Sequence, residues 1–480
     1  MVKSSYSITS EDRMPVLSRK DLALIHDASL KILETTGVNF NNNTVAGIFR
    51  DNGFKTEGTT VFFRKSQINI ALSTTVSDFY IHARNPEHTI HIGGDDQVFL
   101  PTGGAINVVS VDGSQLPATM ADFETGCKLV QTSDQLGMGG YIMVQPTDVN
   151  PETAYLDMML TYMTMCDKPI FGASGSGRMA RDTIEMAGML FGGREKLKTM
   201  PVMASVVNAM SPLQYAKEQS EVIVEMARYH QPVVLTNMIL AGATGPVSIP
   251  SLLALANAEV LAGIVLTQLI TPGAPVIYGS TSAPMDMKTM VSAVGALETI
   301  QIAAAAIELA NYYNIPCRTG GGLTDAHIPD GQALTESTLM LNTVIRNGAH
   351  FIYHSCGQMG SFISMSFEKW VIDEHVCRTI RQLMEPITVS QETIDIDTIL
   401  DVGIGGQYLG HPSTFKLFRN LSRNDLFNRK DLSKWQADGA LPVVQIASQI
   451  VNHRISQYEK PAINPDIETA LTDFAARRKK

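Results

Sequence analysis

A (β/α)₈ barrel is the fold this sequence predicts, and two observations carry the prediction. Within residues 97–384, eight short apolar runs recur, each followed by a polar or glycine-rich turn and then a helical stretch. The runs are continuously apolar and do not alternate, which is the pattern of parallel strands buried on both faces. In a barrel of eight such units, a functional site lies where the strands end.

The elements follow in order. Ahead of the barrel, residues 18–35 carry Leu22, Ile25, Leu30 and Leu33 at helical spacing, with Ser18 and Asp21 placed as a capping box and Gly37 as the stop. Residues 59–63 and 88–92 read as short strands of a small sheet closing the bottom of the barrel. The eight runs are VFLPTGG (98–104), GMGGYIMVQP (137–146), KPIFGASG (168–175), PVMASVVNAM (201–210), QPVVLTNMIL (231–240), APVIYGS (274–280), IPCRTGGG (315–322) and HFIYHSCG (350–357). Helices expected between them include 151–165 and 214–230, both opened by proline-containing turns. The stretch 251–270 is almost wholly apolar, but Asn257, Glu259 and Gln268 interrupt it and Pro250 and Pro272 bracket it. It is expected to be buried against neighbouring helices or a second subunit, not in a membrane. Past Glu385 the pattern turns mainly helical and more charged. The chain thus divides into an N-terminal extension (1–95), a barrel core (96–385) and a helical C-terminal extension (386–480).

A net charge of −10 argues against nucleic acid or an anionic membrane surface as the main partner. The basic tail, Arg477 to Lys480, is expected to be solvated. The opening MVKSSYSITSEDR has no apolar signal core and reads as an arm. Five cysteines without a C-x-x-C pair fit buried thiols in a reducing cytoplasm. The 24 methionines are read mainly as core filling.

The strand ends offer Thr102, Tyr141, Ser174, Asn208, Asn237, Tyr278, Arg318 and the Tyr353–His354 pair. No strand end carries a lysine placed for a Schiff base, and no two carboxylates sit on neighbouring ends for glycoside hydrolysis. Tyrosines, amides and a histidine suit orienting a ligand better than moving protons. Tyrosines converging on one mouth can cage a cation, because ring faces attract positive charge; each can equally cap the core. His350 and His354, four apart on strand eight, fall on one face, and Cys317 or Cys356 is a candidate third ligand for zinc. Two glycine-rich turns remain, GASGSGR (172–178) and TGGG (319–322). The first opens a helix, where backbone N–H groups can hold an anion. The second follows strand seven, where many barrels hold phosphate, and its glycines can equally let a large flat ligand approach the backbone.

The segments NAEVLAGIVLTQLITPGAPVIYGS (257–280), DMKTM (286–290), GGGLTDAHIPDGQALTE (320–336) and LSRKDLALIHDASLKILETTGV (17–38) resemble the trimethylamine methyltransferase superfamily. The likeness extends over nearly the whole chain. It implies a barrel that moves a methyl group from an amine to the cobalt of a corrinoid (cobalamin) carried by a separate protein. The archaeal founders of the family carry pyrrolysine in the loop after strand seven, whereas ordinary residues, Leu323 to His327 among them, stand in that region here. Pyrrolysine-free relatives act on quaternary amines such as glycine betaine, proline betaine and carnitine, and a quaternary amine is the substrate expected here.

A quaternary ammonium leaves as a neutral tertiary amine and needs no general acid, which agrees with a mouth lacking acid–base pairs. The work left to the protein is alignment and exclusion of water; no catalytic acid or base and no tightly bound metal is expected. Strand reading, and no family motif, assigns Tyr141, Tyr278 and Tyr353 to the ammonium. It assigns His354 and Asn237 to a carboxylate, with Arg318 a further candidate. Gly320, Gly321, Gly322, Asp325 and His327 are assigned to face the corrinoid. Expected partners are the corrinoid protein, the small quaternary amine and further copies of the chain. Three other classes stay open: a zinc-dependent methyltransferase using the His354 region, a quaternary-amine binding protein without catalysis, and a phosphate-binding barrel enzyme such as an aldolase.

Overall fold

The computed structural model describes residues 13–421 and 426–480. The arm read at residues 1–13 lies, apart from Arg13, outside the described residues. Each apolar run supplies one parallel strand: β1 (Val98–Pro101), β2 (Gly139–Gly140), β3 (Ile170–Phe171), β4 (Met203–Ala209), β5 (Val233–Asn237), β6 (Val276–Gly279), β7 (Cys317–Gly320) and β8 (Phe351–Cys356). Their order is β1-β8-β7-β6-β5-β4-β3-β2. A parallel bridge between Phe99 and Leu136, with Gly137 N–H donating to Phe99 O at 3.1 Å, brings β1 against the start of β2 and closes the ring. The helices after successive strands are α1 (Met120–Gln131), α2 (Ala154–Met165), α3 (Gly177–Phe191), α4 (Lys217–Arg228), α5 (Ile249–Ile270), α6 (Leu297–Tyr312), α7 (Gly331–Arg346) and α8 (Phe367–Met384).

Strand alternation divides the core in two. Val98, Leu100, Met138, Phe171, Ala204, Val234, Ile277, Phe351 and Tyr353 pack inside the barrel. Their neighbours along the strands, such as Phe99, Leu235, Tyr278 and Ile352, face the helix layer. The bottom is plugged by the hairpin Phe79–Ile81/Ile90–Ile92, whose Phe79, Ile81, Ile90 and Ile92 join the interior cluster. It is tied to the chain two residues before β4 by His82 N–H donating to Pro201 O at 2.7 Å. Strand Thr60–Phe62 lies elsewhere, in a separate three-stranded sheet with Val38–Asn39 and Lys55–Glu57. The two segments expected to share one sheet therefore belong to two, because each pairs with strands close to it in sequence, where loop closure costs least.

The N-terminal helix spans Arg19–Thr35, with the Ser18/Asp21 capping box formed. Together with helix Lys65–Thr74 it packs on α5. Covered on its outer side by these helices and on its inner side by β5 and β6, α5 is apolar all round for a reason: its residues Leu252 to Gln268 are all buried. It is the one helix among the described residues long and apolar enough to cross a membrane.

Among its buried polar residues is Glu259, whose carboxylate accepts from Leu213 N–H (2.8 Å), Ser211 Oγ (2.8 Å) and Asn237 Nδ2 (3.0 Å). Burial pushes this carboxyl up to about 7, against the hydrogen bonds that pull it down.

At the far end of the chain, helix Val443–Ser456 packs on α8 and helix Pro465–Arg478 on α2 and α3. Arg454 reaches Glu374 at 2.8 Å. The basic tail is not simply solvated, because Arg478 pairs with the fully buried Asp182 and Lys479 pairs with Asp157. A buried carboxylate needs a countercharge, and the tail supplies it.

Because the folded Glu259 holds its proton more tightly than the unfolded chain, where its pKa is near 4.5, its contribution is complete below pH 4.5. That contribution is lost as pH rises through about 7. Glu259→Gln cannot titrate. Relative to the wild type, its denaturation midpoint should therefore rise between pH 4.5 and pH 8, by an amount equivalent to on the order of 3 kcal/mol.

Candidate active site at the mouth of the barrel

At the C-terminal end of the strands a cleft of about 320 Å³ opens, lined by Tyr141, Thr281, Arg318, Tyr353, His354 and Phe362 among others. Its shape follows from an irregularity in β8. The pairing of β8 with β1 shifts register between Ile352 and Cys356, and His354 has φ +57°. A regular strand would turn His354 away from Tyr353. The bulge instead puts both rings on the cleft side, stacked at 3.8 Å. A left-handed backbone at a non-glycine residue is strained and must be held. Here the His354 carbonyl accepts from Gly322 N–H at 2.7 Å, and Ser355 Oγ donates to Leu100 O at 2.6 Å.

Tyr353 sits on Phe171, 4.9 Å between ring centres, and under the Arg318 guanidinium, 5.2 Å from its ring. Gly103 makes room for its hydroxyl; a Cβ there would stand 1.8 Å from that oxygen. Phe362 meets His354 edge-on at 5.1 Å. Tyr141 closes another side, and burial raises its pKa. Arg318 is the group that sets the electrostatics. It is 2% exposed, its Nη1 donates to Thr281 Oγ1, and its Nε has no partner. Among the described residues no carboxylate pairs with it. Burial brings its pKa down to about 10, so the guanidinium still carries its charge at neutral pH. Beside it the His354 ring is kept neutral, first by burial and then by Arg318, with Nδ1 unpartnered.

Of the residues singled out from sequence, Tyr141, Tyr353, His354 and Arg318 meet at this cleft, with Asn208 and Ser174 also on its wall. Tyr278 and Asn237 do not. Strand parity turns both outward: Tyr278 Oη donates to Asn257 Oδ1 on α5 at 3.1 Å. Asn237 Nδ2 donates to Ala256 O and Glu259 Oε2, both at 3.0 Å, and its Oδ1 accepts from Ser280 Oγ at 3.0 Å and from Ser282 Oγ at 3.3 Å. Asn237 is thus a hub behind Thr281, out of the cleft.

The TGGG turn is not an open platform either. Gly320, Gly321 and Gly322 are buried, and a Cβ on Gly322 would stand 2.6 Å from Ser355 O. These glycines let the turn press against β8. Asp325 staples loops together, accepting from Val294 N–H, Gly295 N–H and Ser361 Oγ. His327 is exposed on the loop outside, next to Gly360.

His350 and His354 do not share a site. His350 Nδ1 accepts from Cys317 N–H (3.1 Å) and Nε2 donates to Gly94 O (3.1 Å), at the barrel's bottom. Among the described residues no group of three or more His, Cys, Asp or Glu side chains is arranged to hold a metal ion. Sequence reading missed Thr281 and Phe362. Thr281 stands two residues past the end of β6, and Phe362 arrives on the loop after β8, with φ +79°. No periodicity marks either.

The sequence profile of the trimethylamine methyltransferase (MTTB) family matches residues 2–480. The chain belongs to the trimethylamine methyltransferase family. Its relatives include the glycine betaine methyltransferase of Desulfitobacterium hafniense (strain Y51), 34% identical over 466 residues, 97% of each chain. Another is a trimethylamine methyltransferase, MttB, of Desulfitobacterium hafniense (strain DSM 10664 / DCB-2), 31% identical over 95% of this chain and 92% of that one. A third, L-carnitine:corrinoid methyltransferase of Eubacterium limosum, is 30% identical over 92% of this chain and 93% of that one. The Methanosarcina barkeri monomethylamine methyltransferase (MtmB) structure superposes with a TM-score of 0.55 at 10% identity, covering 95% of this chain and 91% of that one; it supports the family's barrel fold and nothing finer.

If Asn237 is a structural hub, Asn237→Ala should lower the folding free energy by on the order of 2 kcal/mol in chemical denaturation. A side chain that only contacted ligand would leave stability unchanged.

Proposed function

We propose that this methyltransferase takes a methyl group from a betaine, a quaternary amine that also carries a carboxylate, and delivers it to the corrinoid of a separate protein. One observation carries the reading: a buried, charged Arg318, without a carboxylate partner among the described residues, shares a cleft with ring faces. A buried cation left unpaired is costly, so a site built this way is complementary to an anionic group on its ligand. The aromatic wall of Tyr141, Tyr353, His354 and Phe362 attracts the opposite charge. Together they fit a zwitterion. The names of the D. hafniense and E. limosum relatives point the same way.

In this reading Arg318 and Thr281 hold the carboxylate, which fixes the ammonium against Tyr353 and Tyr141 with a methyl group toward the mouth. The rings exclude water from the methyl carbon. No side chain moves a proton, since the departing tertiary amine is neutral. The reduced corrinoid supplies the nucleophile when its carrier protein docks. The mouth fits such a visitor: exposed Ile106, Met210, Met238 and Ile363 stand on the loops leaving the strand ends and offer an apolar rim to a flat ring system. The five free, buried cysteines agree with a reducing, cytoplasmic setting.

Incubation with reduced corrinoid and a panel of betaines, carnitine, choline and methylamines, followed by the absorbance change on methylation, tests the reading. A betaine should react. Reaction of trimethylamine alone would overturn it. Arg318→Met should weaken betaine binding by on the order of 3 kcal/mol while leaving tetramethylammonium binding within a few-fold. Tyr353→Leu should weaken both by about 1–2 kcal/mol, measured by calorimetry.

A further inference from the structure

Residues 385–421 leave the end of α8 and return to the body where Leu426 packs beside Ile372 and Ala447. Not one residue of this arm is buried. Among the described residues its hydrogen bonds run within the arm, for example Thr414 Oγ1 to Tyr408 O at 2.6 Å, or to the last turn of α8 through Glu385 N–H to Gln382 O. Yet the arm is apolar. Thirteen of its large hydrophobic side chains are exposed, and Ile387, Val389, Leu400, Ile404, Leu409 and Leu421 lie between 71% and 109% exposed.

Charge along the arm is divided. Residues 385–402 hold Glu385, Glu392, Asp395, Asp397 and Asp401 and no Lys or Arg, whereas residues 403–421 hold Lys416 and Arg419 and no carboxylate.

We propose that residues 385–421 are a dimerisation arm, through which two copies of this chain pack arm on arm about a two-fold axis. The acidic half of each arm lies against the basic half of the other. Three considerations select a second copy as the occupant. The exposed apolar side chains amount to on the order of 1,000 Å² per arm, and two arms together reach the range of a stable homodimer. A monomer seldom leaves a patch beyond a few hundred Å² bare. A two-fold interface requires a surface complementary to itself, and an arm with one acidic and one basic half meets that requirement. A corrinoid carrier that docks and departs in each turnover would leave the surface uncovered between visits; a second copy covers it throughout.

Light scattering and sedimentation of the full-length protein at micromolar concentration should report a dimer. Leu409→Asp combined with Phe415→Asp should give a monomer with an unchanged circular dichroism spectrum, since neither residue is part of a core. Lys416→Glu combined with Arg419→Glu should weaken dimerisation at least tenfold, and adding Glu392→Lys and Asp397→Lys to the same chain should restore it. A monomeric wild type would overturn the proposal. So would a dimer indifferent to Leu409→Asp/Phe415→Asp, or a fourfold charge variant no tighter than the double one. A monomer that pellets with phosphatidylglycerol vesicles through this arm would assign the surface to lipid and overturn it as well.

Discussion

Alternation along a parallel strand decides which side chains of this barrel can meet. Residues of one parity fill the interior and, at the upper end, line the cleft. Those of the other parity enter the layer between strands and helices. Val234 inside β5 sends Asn237 outward, and Ile277 inside β6 does the same to Tyr278. Arg318 and Tyr353 share the inward parity and so converge. The filling below them, from the Phe79–Ile92 hairpin up to Phe171 and Phe351, leaves space only at the mouth.

Strand β8 breaks the rule at one point, and the cleft depends on that break. The bulge that places Tyr353 and His354 side by side gives His354 a left-handed backbone, and the buried turn at Gly321 and Gly322 braces it. The Lys369–Asp373 ion pair on α8, wholly buried at 2.7 Å, fastens both sides of this arrangement: Lys369 donates to Gly322 O, and Asp373 accepts from Gly357 N–H. The glycine turn after β7 therefore supports the wall of the site from behind. Arg318 gains its importance from the same enclosure, since a guanidinium buried over the Tyr353 ring, with no carboxylate partner among the described residues, is complementary to an anion brought in from outside.

The outward-facing polar residues do a different task. Glu259, Asn237, Ser280 and Ser282 form one hydrogen-bonded group joining α5, the loop after β4 and the ends of β5 and β6. Thr281, between the two serines, is thereby presented to Arg318. Polar residues at strand ends thus divide between those that touch the cleft and those that hold the loops carrying it.

Much of this was legible in the sequence by itself. Eight continuous apolar runs determined the barrel, because only strands covered on both faces can be apolar throughout. The all-apolar α5 with its three polar interruptions announced a helix enclosed by others, and the capping box at Ser18 placed the first helix. Long matching segments determined the family. The tertiary structure alone decided which tyrosines face the cleft. In an all-apolar strand the two faces carry the same kind of residue, so the sequence holds no mark of parity; Tyr278 and Tyr353 read alike until the ring closes. It alone brought in Phe362 and Thr281, whose positions depend on loop geometry, and gave the TGGG turn its role as a brace. It alone left Arg318 without a counterion among the described residues, because the absence of a partner is a property of all the elements around a residue and of no stretch of chain.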